Sequence, residues 1–312
     1  MNTNEQQTML DSKVPRITGL LIIEVRDSNP NGDPDNAGFP RQRPDDLGEI
    51  SPVSIKRKMR DLVEINEGES LVWSQLKERL KLGEDANNRF QILEGRGRKR
   101  EEITKLLEKD FAKFKAMYWD ARLFGNTFLE KDGPATIRAG VAHFGVGVSI
   151  APVRIRFETW TNKSGVQEGK DRGFAPQALK YVEHGLYAMP FFVNPTQARK
   201  TGCTGEDVRL MLHLLKHVYR DNPSTGRTQV EIVHAHAIEH KDVLGSFSDF
   251  ALLDALKPIR LPKDDAEKKP STSRADYQIP TWDEIKGNVV RKQGEKALTW
   301  DDVGIHTDYA LL

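Results

Sequence analysis

Between Arg16 and Arg26 apolar positions alternate along the chain. Ile17, Leu21, Ile23 and Val25 share one face, and Leu20 and Ile22 make the other partly apolar, the period of a strand. At Ser51 the period changes. Ile55, Met59, Leu62 and Val63 fall on one face of a helix that Ser51 caps and Pro52 opens, and Lys56, Arg57 and Arg60 lie together away from that face. The spacing predicts an anchored helix that shows positive charge. Residues 67 to 117 read as helical pieces broken at Gly83 and at the cationic stretch 94–100, and 112 to 124 is apolar at helical spacing, with Tyr118, Trp119 and Phe124 in the core.

A strand is expected over 136–150, with Phe144, Val146, Val148 and Ile150 on one face and His143, Gly145, Gly147 and Ser149 on the other. Glycine at alternate positions suits a place where another backbone comes close. The next strand, 153–160, directs Val153, Ile155 and Phe157 inward, and 162–177 reads as a projecting loop. Strands follow over 186–193 and 229–239. Between them Thr204 and Asp207 form a capping box for a helix carrying Val208, Met211, Leu212, Leu215 and Val218. Further helix is expected within 244–256, a linker or mobile loop over 262–280, and a tail whose Trp282, Trp300 and Tyr309 pack back; residues 1–15 read as a flexible arm.

The order strand, basic helix, strand, strand, helix, strand is that of the ferredoxin-like βαββαβ motif. The fold class read from it is α+β: an RRM-like palm with large insertions forming helical fingers and a projecting thumb. As one elaborated domain over 1–312, the palm covers about 16–66, 136–160 and 186–256. The helical insertion covers about 67–130, the thumb-like projection about 160–180, and the linker and tail 258–312.

Composition narrows the function. Forty-seven Lys and Arg against 46 Asp and Glu leave a net charge of +1, yet four of the five residues 56–60 and four of the five from 96 to 100 are cationic. Segregation of this kind suits a polyanion held in one groove. No apolar run is long enough to span a bilayer and no signal-peptide layout is present, so a cytoplasmic location without membrane contact is expected. The single cysteine, Cys203, excludes an internal disulfide.

Between the first strand and the basic helix, residues 29–41 (NPNGDPDNAGFPR) are dense in Asn, Pro, Gly and Asp and read as a rigid turn. Asp33 and Asp35 invite a hard cation, although Ala37 and Pro44 stand where a calcium loop carries oxygen ligands. His234 and His236 share one face of a strand, and His213 and His217 one face of a helix; either pair begins a zinc site that lacks a local third ligand. Gly95-Arg-Gly-Arg has no following Gly-Lys, so no nucleotide phosphate loop is indicated.

The segment NPNGDPDNAGFPR followed by SIKRKMRDLV resembles the opening of the Cas seven family, the backbone subunits of type I CRISPR Cascade, most closely the type I-C branch. The resemblance continues through Tyr118–Gly125, Ile137-Arg138, Glu183–Tyr187, Asn194-Pro195 and Lys200–Asp207. It implies a non-catalytic ribonucleoprotein of antiviral defence that coats guide RNA (crRNA) as a head-to-tail filament and presents it for pairing with target DNA. Its further partners are Cascade subunits of the Cas five and Cas eight types, and no cofactor is implied. Expected RNA-binding residues are Asn29, Asn31, Arg41, Ser54, Lys56, Arg57, Arg60, Arg138, Gly140, His143, Arg172 and Phe174. Where the family usually reads Gly-Pro-Val-Gln after the Ile-Arg, this chain has Ala139-Gly-Val-Ala-His143, a departure that bears on His143. A metal-dependent RNA-cleaving subunit as in type III complexes, or a metal hydrolase built on His234 and His236, is the alternative.

Overall fold

The computed structural model describes residues 13–65, 68–95, 99, 101, 105, 109–125, 139–163, 174–222, 224–262, 269–291 and 299–312. Their strands are β1 (Ile17–Ser28), β2 (Leu47–Ile50), β3 (Ala142–Phe144), β4 (Gly147–Pro152), β5 (Ile155–Lys163), β6 (Phe174–Val193), β7 (Val230–His240), β8 (Ile259–Arg260), β9 (Tyr277–Gln278) and β10 (Gly304–Asp308). The helices used below are α1 (Pro52–Val63), α2 (Leu71–Arg79), α3 (Ala86–Arg89), α4 (Phe111–Met117), α5 (Trp119–Phe124), α6 (Ala198–Thr201), α7 (Gly205–Leu214), α8 (His217–Arg220), α9 (Asp249–Leu256), α10 (Trp282–Arg291) and α11 (Trp300–Val303). The protein is a mixed α+β fold on one antiparallel sheet. Its strand order is β10-β7-β1-β6-β4-β2, with β3 and β5 also paired to β6.

β1 is central and buried along Ile17–Val25. Its odd positions Ile17, Leu21, Ile23 and Val25 join Ile55, Met59, Leu62, Val208, Met211 and Val218 in one core. Leu20 and Ile22 face a second core with Leu186 and Ile238, closed by Leu252 and Leu256 of α9, Tyr277, and Ile285 and Val289 of α10. Both faces of the sheet are therefore covered. As the spacing predicts, Ser51 caps α1 through the Val53 amide, and Thr204 and Asp207 form the capping box of α7.

Four expectations change. The strand expected over 136–150 is broken between Phe144 and Gly147, its first three residues lying outside the described ones. Past the break the buried positions are Gly147, Ser149 and Ala151 rather than the Val146 set. The break faces Pro190, which has no N–H to give, and the pairing slips from Phe144↔Phe191 to Val148↔Ala188. The close approaches at these glycines come from within the chain: a Cβ on Gly145 would meet Pro190 at 2.8 Å, and one on Gly147 the Met189 side chain at 3.0 Å. Phe157 is exposed and stacks on Phe39 instead of turning inward. The linker expected over 262–280 is ordered from 269 on, where Ser271, Asp276 and Tyr277 are buried; residues 263–268 lie outside the described ones, as do 1–12 of the arm. The tail packs back as expected, with the Trp282 and Trp300 rings 4.5 Å apart.

Two buried ion pairs tie α5 to α1 and to α7. Arg60 Nε of α1 donates to Asp120 Oδ2 at 2.8 Å, while the Asp120 carboxylate also accepts from the Leu93 and Glu94 amides at 2.7 and 3.1 Å. Arg122 grips Asp207 with two bonds of 3.0 and 2.7 Å and gives its other hydrogens to the Lys115, Ala116 and Arg89 carbonyls. With every partner satisfied, such pairs tolerate burial that isolated charges do not.

Asp120→Ala is expected to cost about 3–5 kcal/mol in denaturant unfolding, since it strands the Arg60 charge in the interior, and Arg60→Met in the same chain should recover part of the loss. An Asp120→Ala protein as stable as the parent would contradict this assignment. Burial holds the His184, His213 and His240 imidazoles below their ordinary value, and His213, also repelled by Arg79, Lys216 and Arg209, falls to about 4. The unfolded chain takes up these protons first, so stability is complete above the unfolded value of 6.5 and is lost as the pH falls toward 4. Tm measured across that window should decline steadily, and less steeply in His213→Gln.

Candidate nucleic-acid interface

The turn after β1 is as rigid as its composition suggests. Asp33 accepts from the Asp35 amide and caps a short 3-10 turn, Pro34–Asn36, that ends on Ala37 in the left-handed region at φ 48°. The Asp33 amide donates to the Phe39 carbonyl at 2.7 Å, closing the loop on itself. Asn29 Nδ2 donates to the Gly38 carbonyl at 2.9 Å, and Asn31 Oδ1 accepts from the Ser51 amide at 2.9 Å. Asn31 thus pins the loop to the start of α1. Arg41 pairs with Asp33 at 3.0 Å and stays partly exposed. The Asp33 carboxylate is taken up by Arg41 and the turn, in keeping with a conformational role, whereas Asp35 is exposed and enters the turn through its amide.

α1 departs from expectation. The run Lys56-Arg57-Lys58-Met59-Arg60 does not present an open cationic face, because acids along α1 and just after it hold Arg57, acids far along the chain hold Arg60, and Lys58 is buried. Arg57 is held by Asp61, by Glu64 at 2.9 Å and by the Glu94 carbonyl at 2.7 Å. Lys58 is buried with its ammonium 5.1 Å from the centre of the Tyr219 ring. Arg60 lies in the interior between Asp120 and Glu94, the latter at 3.0 Å. Ser54 lines a hollow with Arg57, Asp61, Asn222 and Arg227.

Lys56 is different. Among the described residues it forms no ion pair, and its ammonium sits 5.5 Å from the Phe124 ring centre. Partial burial and the nearby Arg60 charge lower its pKa, and Glu94 opposes them. The neighbouring His143 is exposed on β3, its own pKa lowered by burial of the ring and then by the Lys56 charge. An anion placed between them would relieve both repulsions.

The structure brings Asn29, Asn31 and Arg41 into one loop and sets Lys56 beside His143, but it turns Arg57 and Ser54 to another side of α1 and Arg60 inward. Gly140 meets protein: a Cβ there would lie 2.3 Å from the Leu123 carbonyl oxygen, so the glycine serves the packing of β3 against the end of α5. Arg138 and Arg172 lie outside the described residues, and for Phe174 only the backbone pairing with Lys163 is described. Sequence reading missed Lys180, whose ammonium lies 4.4 Å from the Phe39 ring centre and donates to the Ala37 carbonyl. It ties the loop to the β5–β6 ribbon; the aromatic pair Phe39 and Phe157 was the available signal.

The histidine pairs also separate. His217 Nδ1 is 2.7 Å from Asp221 and His213 packs on Tyr309, whereas His234, His236 and Asp308 bring ligand atoms within 4.8 Å of one another.

Nothing among curated proteins matches the chain. A chain of "CRISPR RNA-guided surveillance complex, pre-nicking" superposes with a TM-score of 0.49 at 15% identity, over 88% of this chain and 87% of that one. A chain of "CRISPR RNA-guided surveillance complex" gives 0.38 at 14% over 72% and 70%, and one of "Cryo-EM structure of the Type III-B Cmr-beta bound to cognate target RNA" gives 0.36 at 13% over 76% and 65%. The family model described as CRISPR-associated protein Cas7 matches residues 15–281, most of the sequence. The chain belongs to the Cas7 family.

Proposed function

We propose that this Cas7-family chain is the guide-RNA-binding backbone subunit of a type I, I-C-like Cascade complex. Copies polymerise head to tail along the RNA with Cas five and Cas eight type partners at the ends, and present its bases to target DNA. Sequence would then be read by base pairing, and the protein would hold phosphate and sugar. The observation that carries this reading is the family match over 15–281. The sheet supports an RRM-like palm, since β7-β1-β6-β4 follows the 4-1-3-2 neighbour order of the ferredoxin-like plan when α1 and α7 are its two helices. The β5–β6 ribbon is then the thumb, and α2 to α5 belong to the helical insertion.

Phosphate contact falls to Lys56 and His143 beside the pinned loop, with Asn29 and Arg41 flanking. Arg60 acts from behind, as a fixed charge that holds α5 and α1 together. Type I membership is favoured over an RNA-cleaving relative by the fate of Asp33, whose carboxylate is occupied by Arg41 and its own turn. The protein is accordingly non-catalytic.

Lys56→Ala should lower affinity for single-stranded RNA and flatten the slope of log K against log salt by about 0.7, the share of one phosphate, with Tm unchanged. Anisotropy titrations at several salt concentrations measure it; an unchanged slope removes Lys56 from the interface. With Mg²⁺ the purified chain should leave target RNA intact on gels, and Asp33→Asn should alter nothing in that assay. Cleavage that this substitution abolishes would overturn the non-catalytic reading.

A further inference from the structure

Four side chains gather where β10 pairs with β7, at a place that the RNA reading does not use. His234 Nδ1 lies 2.7 Å and His236 Nδ1 3.8 Å from Asp308 Oδ2, and the two imidazoles stack in parallel with centres 5.1 Å apart. His306 Nε2 lies 3.1 Å from His236 Nδ1. We propose that His234, His236 and Asp308 bind a divalent transition-metal cation, Zn²⁺ foremost, with His306 beside the remaining position.

The donor set has the right chemistry. Imidazole nitrogen and carboxylate oxygen suit Zn²⁺, whose bonds of about 2.0–2.1 Å place tetrahedral donors about 3.3 Å apart. The observed 2.7 and 3.8 Å bracket that separation. Asp308 is held in a ligating orientation, because its Oδ1 accepts from the Ala235 and Ala310 amides at 2.8 and 3.1 Å, which leaves Oδ2 turned to the histidines. Such supporting bonds to a ligand carboxylate are what metal sites use to fix geometry. Trp282 stacks on His306 at 4.0 Å and Trp300 stands edge-on behind it, so the site has an apolar wall.

Hydrogen bonding alone leaves the cluster incomplete. If His234 gives its Nδ1 proton to Asp308 and His306 gives its Nε2 proton to His236, the His236 proton sits on Nε2, which is buried and has no partner. In that tautomer the Nδ1 lone pair points into the cluster and accepts from His306, a bond that a cation would replace. The bound cation would clasp the C-terminal strand to β7.

The test uses the full chain, stripped with a chelator and titrated with Co²⁺ as a visible probe. One equivalent of Co²⁺ per chain should give d–d absorption that Zn²⁺ bleaches, and Zn²⁺ should raise Tm. His236→Gln should weaken Co²⁺ binding at least tenfold, while His217→Gln, outside the cluster, should leave it unchanged. A parent chain without stoichiometric Co²⁺ absorption overturns the site, and so does a folded His236→Gln that binds equally well. Should His236→Gln fail to fold, His234→Cys decides: a thiolate-to-cobalt charge-transfer band supports the site, and its absence overturns it. None of these readouts involves RNA, so they stand or fall apart from the backbone reading.

Discussion

The burial of β1 on both faces is the constraint from which the rest follows. Nine consecutive residues, Ile17–Val25, are shielded, by α1 and α7 on one side and by α9 and α10 on the other. An RRM sheet that reads RNA leaves one face to stacked bases. In this sheet that side is covered by α9, Tyr277 and α10. Even Glu24, among the few charged positions along β1, is taken up internally by Arg26 at 2.7 Å, His184 and Arg274. That leaves loops and strand edges as the free backbone of the described sheet, and the turn at 29–41 is a loop closed on itself and pinned to α1.

Charge segregation in sequence is a poor guide here to charge on the surface. Local spacing places Arg60 off the apolar face of α1, yet the residue is drawn inward because the Asp120 carboxylate lies buried against the helix and needs a counter-charge. Lys58 follows for a different reason, its ammonium lying over the Tyr219 ring. What survives of the run as outward positive charge is Lys56, with the His143 imidazole beside it, two groups far apart in sequence and adjacent in space.

Period, caps and turn chemistry are local, and they were legible. β1, α1 with its Ser51 cap, α7 with its capping box, β7 and the inward packing of Tyr118, Trp119 and Phe124 all follow from residues within a turn or two of each other. The features that were not legible depend on partners far along the chain: Asp120 sixty residues beyond Arg60, Asp308 seventy-four beyond His234. The glycines before β4 mark an intermediate case. Their need for close approach was readable, but that Pro190 and Met189 supply the approach depends on a register slip that no single strand encodes.

The β5–β6 ribbon carries one more consequence. From Ile155↔Val182 to Lys163↔Phe174 the two arms pair with each other, while β1 contacts β6 only as far as Ser28↔Val182. Growth at the distal end therefore leaves the palm's register untouched, provided that residues are gained two per arm so the inward and outward sides are kept. Each such step extends the ribbon by about 7 Å. Its reach is thus a discrete quantity, set two residues per arm at a time, that can change without altering the pairing of β1 with β6.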